Sequence, residues 1–242
     1  MAPILQIGPL ALRTPLLLTL LGLYLGLSLA ERRLPKDSLS AAQLNTLVFL
    51  GLVSGVLAAR LFFALQHFAL FARAPLNLFS LDSGLLDPFA GWLVGILAMA
   101  IYGQRQRLSL WKTLDALTPL LAVLGVFLSL ALFAAGEVYG TPTDLTWGIE
   151  WGGAKRHPLG LYSALGFLLI LVFFWQRLGR GQFAGQTFLQ FVLAAAALWL
   201  FLEAWRANAL LLPGGFRAVQ VTAWLNMAFA YWLLERRARG QG

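Results

Sequence analysis

The chain has 242 residues, of which 60% are hydrophobic and only 12% are charged. A soluble domain carries about 25% charged residues, so this composition excludes an ordinary soluble protein. The chain has no cysteine, which excludes disulfides, thiolate metal sites and cysteine nucleophiles. The formal net charge is +8, but the bases lie in short loops between apolar runs. They therefore indicate membrane topology and not a nucleic-acid partner.

Apolar runs of about 20 residues recur along the chain, and each is long enough to cross about 30 Å of hydrocarbon. Solid apolar blocks favour helices over the alternating strands of a barrel. We therefore predict an all-α integral membrane protein with seven transmembrane helices in a single domain over residues 1–242. The predicted spans are 12–30, 42–65, 86–103, 113–134, 159–176, 185–203 and 217–234.

The loops between these spans alternate in character, which predicts an orientation. One set of loops is short and basic, and its bases are Arg32, Arg33, Lys36, Arg105, Arg107, Lys112, Arg177, Arg180, Arg236, Arg237 and Arg239. The positive-inside rule places this set in the cytoplasm, with the N-terminus outside and the C-terminus inside. A polar stretch at residues 136–158, called the head segment below, is then external. The remaining outer loops contain Arg73 and Asp82, and residues 204–216.

Several polar side chains fall near the predicted outer ends of the spans. They are Arg60, Arg156, His157, Glu203, Arg206 and Gln220. If the helices bundle, these groups line one outward-facing cavity. The planar guanidinium fork of arginine suits phosphate, so we predict a site for an anionic lipid headgroup. The alternative is that the arginines snorkel to the interface and that Glu203 and Arg206, three residues apart, form a structural pair. Arg73 and Arg217 fit this alternative better.

Other kinds of site find less support in the sequence. His67 and His157 are far apart, so we expect no metal site, and no nucleotide-binding or metalloprotease motif predicts a cofactor. No lysine or carboxylate pair lies deep in a span, which disfavours a transporter or channel. We interpret Asp87 before Pro88 as a helix N-cap, and we expect Asp115 to form a local pair near Lys112. Glycines four residues apart, such as Gly51 and Gly55, predict close helix packing.

The head segment and the residues just after it resemble a known family. The pattern runs Gly-Glu-x-Tyr-Gly-x-Pro-Thr-Asp-Leu-x-Trp-Gly from Gly136, followed by Arg156-His157-Pro158 and Leu161-Tyr162. Together with "IGPLALR", "AARLFF", "LWKTLDALTP" and "LEAWR" elsewhere in the chain, it resembles the bacterial prolipoprotein diacylglyceryl transferases. The resemblance implies a multi-pass protein of the bacterial cytoplasmic membrane. Members of this family move a diacylglyceryl group from phosphatidylglycerol to the cysteine of a prolipoprotein, so the resemblance also implies a phosphatidylglycerol-like partner.

The sequence departs from the family where its polar groups are expected. The family pattern Gly-Arg-x-Gly-Asn-Phe-x-Asn-Gly-Glu has Ser129 at its arginine and Leu132 and Ala135 at its two asparagines. A second family arginine, four residues before Glu203, is Trp199. The remaining departures are Ala90 or Pro88 at the family histidine, and a position near Pro15 at an N-terminal tyrosine.

These departures leave two hypotheses open. The first is a non-catalytic relative, with no catalytic residue of its own, that binds lipid or serves as an accessory subunit of a larger membrane complex. The second is an active transferase with relocated groups, which would use Arg60, Arg156, His157, Glu203 and Arg206. The two differ in whether the chain can replace a transferase in a cell.

Overall fold

A computed structural model of the protein describes residues 4–7, 10–34, 38–73, 83–176 and 181–240. Eight helices account for most of the described chain. They are α1 Thr14–Arg32, α2 Ala41–Gln66, α3 Phe68–Arg73, α4 Pro88–Arg105, α5 Leu110–Ala135, α6 Leu159–Phe174, α7 Gln186–Glu203 and α8 Ala218–Arg239. Some of the loop residues used to predict the orientation lie outside the described residues. They are Lys36, Asp82, Arg177, Arg180 and the side chain of Arg73.

Each of the seven predicted spans overlaps one long helix. Four of these helices, α1, α2, α5 and α7, are long and apolar enough to cross a membrane, and α6 is a shorter apolar helix. The prediction of a mostly helical, multi-pass membrane protein is confirmed. The count of seven spans, the orientation and the single domain stay predictions.

Two short β-hairpins accompany the helices, and the apolar pattern of the sequence did not predict them. Strands β1 Ile4–Ile7 and β2 Leu10–Arg13 pair antiparallel immediately before α1. Strands β3 Ile149–Trp151 and β4 Ala154–Arg156 form the second hairpin inside the head segment. Gly152 and Gly153 make its turn with φ of +60° and +77°, a backbone that glycine adopts without strain.

The chain forms two compact units: Asp37–Thr113 on the one hand, and Met1–Lys36 with Leu114–Gly242 on the other. In the first unit, α2 and α4 pack through facing glycines. A Cβ on Gly95 would lie 2.8 Å from the carbonyl oxygen of Gly51, and one on Gly91 would lie 3.1 Å from that of Gly55. Small residues let helix backbones approach closely where lipid provides no hydrophobic drive, as the glycine spacing predicted.

The start of α4 belongs to the same unit and confirms the predicted cap. The Asp87 carboxylate accepts the N–H of Ala90 at 2.9 Å, and Pro88 opens the helix. The backbone N–H of Asp87 donates to the carbonyl of Ala59 in α2, also at 2.9 Å. This pairing ties the start of α4 to the later part of α2.

The second unit contains α1 and α5 to α8. Buried Ala122, Phe167 and Phe191 form a core shared by α5, α6 and α7. Between α5 and α7 lies an unanticipated contact of Asp115. Its carboxylate accepts the backbone N–H of Gly185 at 2.5 Å and of Phe188 at 2.9 Å. These partners lie 70 and 73 residues away in the chain. The expected local pair of Asp115 near Lys112 stays a prediction.

Candidate headgroup site at the helix ends

The head segment begins where α5 ends. Gly136 has φ of +74°, and a Cβ on it would lie 2.3 Å from the Trp151 ring. Glycine is required here because the backbone is left-handed and because any side chain would collide with the Trp151 ring. The chain leaves α5 here and enters an extended run that reaches the β3–β4 hairpin.

Backbone hydrogen bonds join this extended run to both of its neighbours. On one side, the N–H of Gly140 donates to the His157 carbonyl at 3.0 Å. On the other side, the N–H of Thr141 donates to the Trp205 carbonyl at 2.8 Å, just after the end of α7. An isolated β-bridge also pairs Gly140 with Arg206. The head segment therefore fixes the end of α7 next to the stretch that carries Arg156 and His157.

Arg156 is held by carbonyl oxygens of the head segment. Its Nε donates to the Trp151 carbonyl at 3.1 Å and its Nη1 to the Gly140 carbonyl at 3.3 Å. The guanidinium carbon lies 5.3 Å from the centroid of the Tyr139 ring, which is the range of a cation–π contact. In the described structure this predicted site residue clamps the hairpin to the extended run.

His157 takes part in a short chain of polar contacts. Its Nδ1 lies 3.3 Å from the Tyr162 hydroxyl, which accepts the indole N–H of Trp147 at 2.8 Å. With its oxygen accepting from Trp147, the Tyr162 hydroxyl is free to donate its proton to Nδ1. The histidine ring is thereby oriented from the first turn of α6.

A polar cluster lies at the end of α7 and just beyond it. It is made of Glu203, Arg206, Asn208 and Arg217. Glu203 is 4% exposed, and its Oε2 lies 3.5 Å from Nη1 of Arg206. This distance agrees with the alternative in which Glu203 and Arg206 form a structural pair, although α7 has already ended at Glu203. The other carboxylate oxygen, Oε1, is buried and has no hydrogen-bond partner among the described residues. A buried, half-satisfied carboxylate is costly unless a further donor reaches it.

The cluster is also fastened to the backbone around it. Arg206 donates through Nε to Oδ1 of Asn208 at 3.2 Å, and Nδ2 of Asn208 donates to the Glu137 carbonyl at 2.8 Å. Arg217 donates through Nη1 to the carbonyls of Glu203 and Arg206. Asn208 and Arg217 were not among the predicted site residues. The acceptors of Arg217 are backbone carbonyls 14 and 11 residues earlier in the chain, so no local sequence pattern marked it.

Four of the six predicted site residues, Arg156, His157, Glu203 and Arg206, thus lie on stretches that pair with the run through Gly140. Gln220 lies half-buried in the first turn of α8. Arg60 belongs to the other compact unit. There it is 8% exposed and donates through Nη1 to the Leu85 carbonyl at 2.9 Å.

These features define a class of protein: a helical multi-pass membrane protein whose helix ends carry an ordered, arginine-bearing polar head. Comparison with known families gives the particular one. A sequence model described as prolipoprotein diacylglyceryl transferase matches residues 3–235. The chain belongs to this family.

Individual relatives agree with this assignment. The chain is 30% identical over 277 aligned positions to a phosphatidylglycerol–prolipoprotein diacylglyceryl transferase of Thermus thermophilus, covering 98% of both chains. It is 34% identical over 179 residues to the protein of that name from Photobacterium profundum, covering 70% of this chain and 66% of the relative. A third relative of the same name, from Bordetella parapertussis, is 29% identical over 209 residues, with 82% and 79% covered.

Proposed function

We propose that this protein is a non-catalytic member of the family that binds a phospholipid headgroup and does not transfer a diacylglyceryl group. One observation carries the proposal: uncharged side chains, engaged in helix packing, stand where the family pattern has arginines. The relatives are named for phosphatidylglycerol, which makes an anionic phospholipid the natural ligand. The head is proposed to face the outside of a bacterial cytoplasmic membrane.

Ser129 stands at the first of these arginine positions. It is 7% exposed, and its hydroxyl donates to the Gly125 carbonyl one turn earlier in α5, at 2.7 Å. Serine bonded back to its own helix presents no charge and no free donor. The position contributes to the structure of α5 and offers nothing to a phosphate.

Trp199 stands at the second arginine position. Its ring meets Phe167 edge to face, with centroids 6.4 Å apart, and the residue is 51% exposed. An exposed indole on an apolar helix is suited to lipid and aromatic contact. The two asparagine positions hold Leu132 and Ala135, which have no polar side-chain atoms.

The chemistry of the family explains why these changes matter. In the transfer, a thiolate sulfur forms a bond to the glyceryl carbon while the bond from that carbon to the phosphate oxygen breaks. The glycerol phosphate leaves with the electron pair, so negative charge develops beside it. Removing one group that stabilises such charge commonly slows a reaction by about 10²–10³-fold. Loss of two cations and two amides at these positions therefore favours binding without turnover.

The residues that remain suit a headgroup. The side chain of Arg206 is 28% exposed, so its guanidinium can reach a ligand while staying beside Glu203. The buried Oε1 of Glu203 needs a donor, and a headgroup hydroxyl would supply one. A protein with these properties fits the role of a lipid-binding accessory subunit in a larger membrane complex.

Complementation tests the loss of catalysis. The chain is expressed in a strain depleted of its own diacylglyceryl transferase, beside the Thermus thermophilus relative brought to the same membrane level. We expect the relative to restore growth and this chain to leave unmodified prolipoprotein accumulating. Rescue by this chain at equal expression would contradict the proposal and favour an active enzyme with relocated groups.

Lipid retention tests the binding. The protein is purified in mild detergent, and co-purifying phosphatidylglycerol is quantified for wild type, Arg206→Gln and Arg105→Gln. The two variants lose the same charge, but Arg105 is exposed and belongs to the other compact unit. We expect retention to fall only in Arg206→Gln. Equal retention in all three proteins would argue against this site.

The accessory role is tested by purifying the protein from native membranes. Purification without any companion protein would argue against that role.

A further inference from the structure

A second basic region lies at the opposite end of α8 from the polar cluster. A cavity of about 400 Å³ is lined by Leu233, Arg236, Arg237 and Gly240. The helix has 22 residues, which at 1.5 Å per residue is about 33 Å. That length approximates the thickness of the hydrocarbon core, so in the predicted topology the cavity and the polar cluster lie near opposite membrane surfaces.

The carboxylates around the cavity are already engaged. Glu235 accepts the Tyr231 hydroxyl through Oε1 and Arg239 through Oε2, both at 2.7 Å. Both oxygens of Asp115 accept backbone N–H groups, although its charge also attracts Arg237. The three arginines in the last turn of α8 thus outnumber these two carboxylates, and the helix end carries net positive charge.

The walls of the cavity combine charge with apolar surface. The guanidinium carbon of Arg236 lies 5.3 Å from the ring centroid of Trp232, a residue that is 50% exposed. Tryptophan prefers the membrane–water interface, which favours a position for this arginine at headgroup level. Leu233 supplies an apolar wall on the same side of the helix end. A molecule with a phosphate and an apolar glyceryl ester portion matches this combination.

We propose that this cavity binds the phosphate group of an anionic phospholipid, at a site separate from the one beside Glu203. Arginines at the basic-loop end of a membrane helix attract anionic headgroups, and paired guanidinium donors suit phosphate oxygens. This site does not depend on the proposed function. It would bind an anionic lipid equally in a catalytic and in a non-catalytic member of the family.

The test uses full-length protein carrying Arg206→Gln, which removes the other proposed lipid contact. Native mass spectrometry counts the dioleoylphosphatidylglycerol molecules retained, with dioleoylphosphatidylcholine as the neutral comparison. Arg236→Gln with Arg237→Gln is compared with Arg105→Gln with Arg107→Gln, which removes the same charge from the end of α4 and the turn after it, in the other compact unit. We expect affinity to fall about tenfold or more in the first pair and to stay unchanged in the second.

Two further arms identify the source of the phosphate and guard against misfolding. Displacement of the lipid by millimolar inorganic phosphate would support a site for free phosphate, and resistance to displacement would support one for lipid. If the glutamine pair loses helicity by circular dichroism, Arg236→Lys with Arg237→Lys replaces it, and binding should weaken but persist because the charge remains. Equal retention by the folded glutamine pair and its control would overturn the proposal.

Discussion

The carboxylate of Asp115 accepts the backbone N–H of Gly185 at 2.5 Å, so one turn of α5 caps the start of α7. Gly185 has φ of +92° and offers no side chain to cap the helix itself. The first N–H groups of a helix need acceptors, and burial makes their loss expensive. Asp115 therefore supplies from another helix what an N-cap residue ordinarily supplies locally.

We expect Asp115→Ala to lower the free energy of unfolding by about 1–2 kcal/mol, because two N–H groups at the start of α7 lose their acceptor. Asp115→Asn keeps one acceptor oxygen and should lose less. Unfolding by dodecyl sulfate in mixed micelles measures both. Equal destabilisation by the two variants would mean that charge, and not capping, is what Asp115 provides.

Close packing of α2 against α4 leads to a second prediction. Gly95→Ala places a Cβ 2.8 Å from the Gly51 carbonyl oxygen, whereas Gly103, later in the same helix, has nothing within 4 Å of its Cβ position. We expect Gly95→Ala to destabilise the protein by about 1–3 kcal/mol through overpacking. Gly103→Ala should be neutral or stabilising by up to about 1 kcal/mol, since alanine favours the helix. Thermal unfolding in detergent compares the two, and similar midpoints would contradict the proposed close contact.

The sequence was informative where one local rule determines the structure. Apolar runs predicted the positions of the long helices and Asp87-Pro88 predicted the start of α4. The glycine spacing predicted close helix packing, which the structure shows between α2 and α4. The pairing of Glu203 with Arg206 followed from their separation by three residues. Each of these features depends on neighbours in the chain or on the periodicity of a helix.

Features that depend on residues distant in the chain could not be predicted by such local rules. The acceptor role of Asp115 needs Gly185, and the bridge from Gly140 to Arg206 needs the end of α7 to return beside the head segment. A three-residue strand such as β3 carries too few positions for a period of two to show. Arg217 looked like an ordinary interfacial base because its acceptors are backbone carbonyls, which carry no signature in the sequence.

The clamp made by Arg156 gives a third prediction. Its guanidinium binds the Trp151 and Gly140 carbonyls together, and a lysine ammonium cannot reproduce that planar fork. We expect Arg156→Lys to speed hydrogen exchange at the backbone N–H groups of Gly140 and His157 by about tenfold, equivalent to about 1.4 kcal/mol of local stability. Lys155→Gln, at the exposed neighbouring position, is the control. Exchange that rises equally in both variants would show that the hairpin responds to any substitution, and would contradict a specific clamp by Arg156.

A final prediction separates an arginine that ties helix ends together from one at the surface. Arg217 donates to the carbonyls of Glu203 and Arg206, whereas Arg239 pairs with Glu235 at 2.7 Å, with side chains 81% and 42% exposed. Both substitutions to glutamine remove one positive charge, so they differ only in location. Arg217→Gln should lower the free energy of unfolding by about 1–3 kcal/mol, because carbonyls at the end of α7 lose a charged donor. Arg239→Gln should leave it unchanged, since exposed ion pairs contribute little. Chemical unfolding measures both variants. If both lost the same free energy of unfolding, the hydrogen bonds of Arg217 would not be what holds the start of α8 against the end of α7.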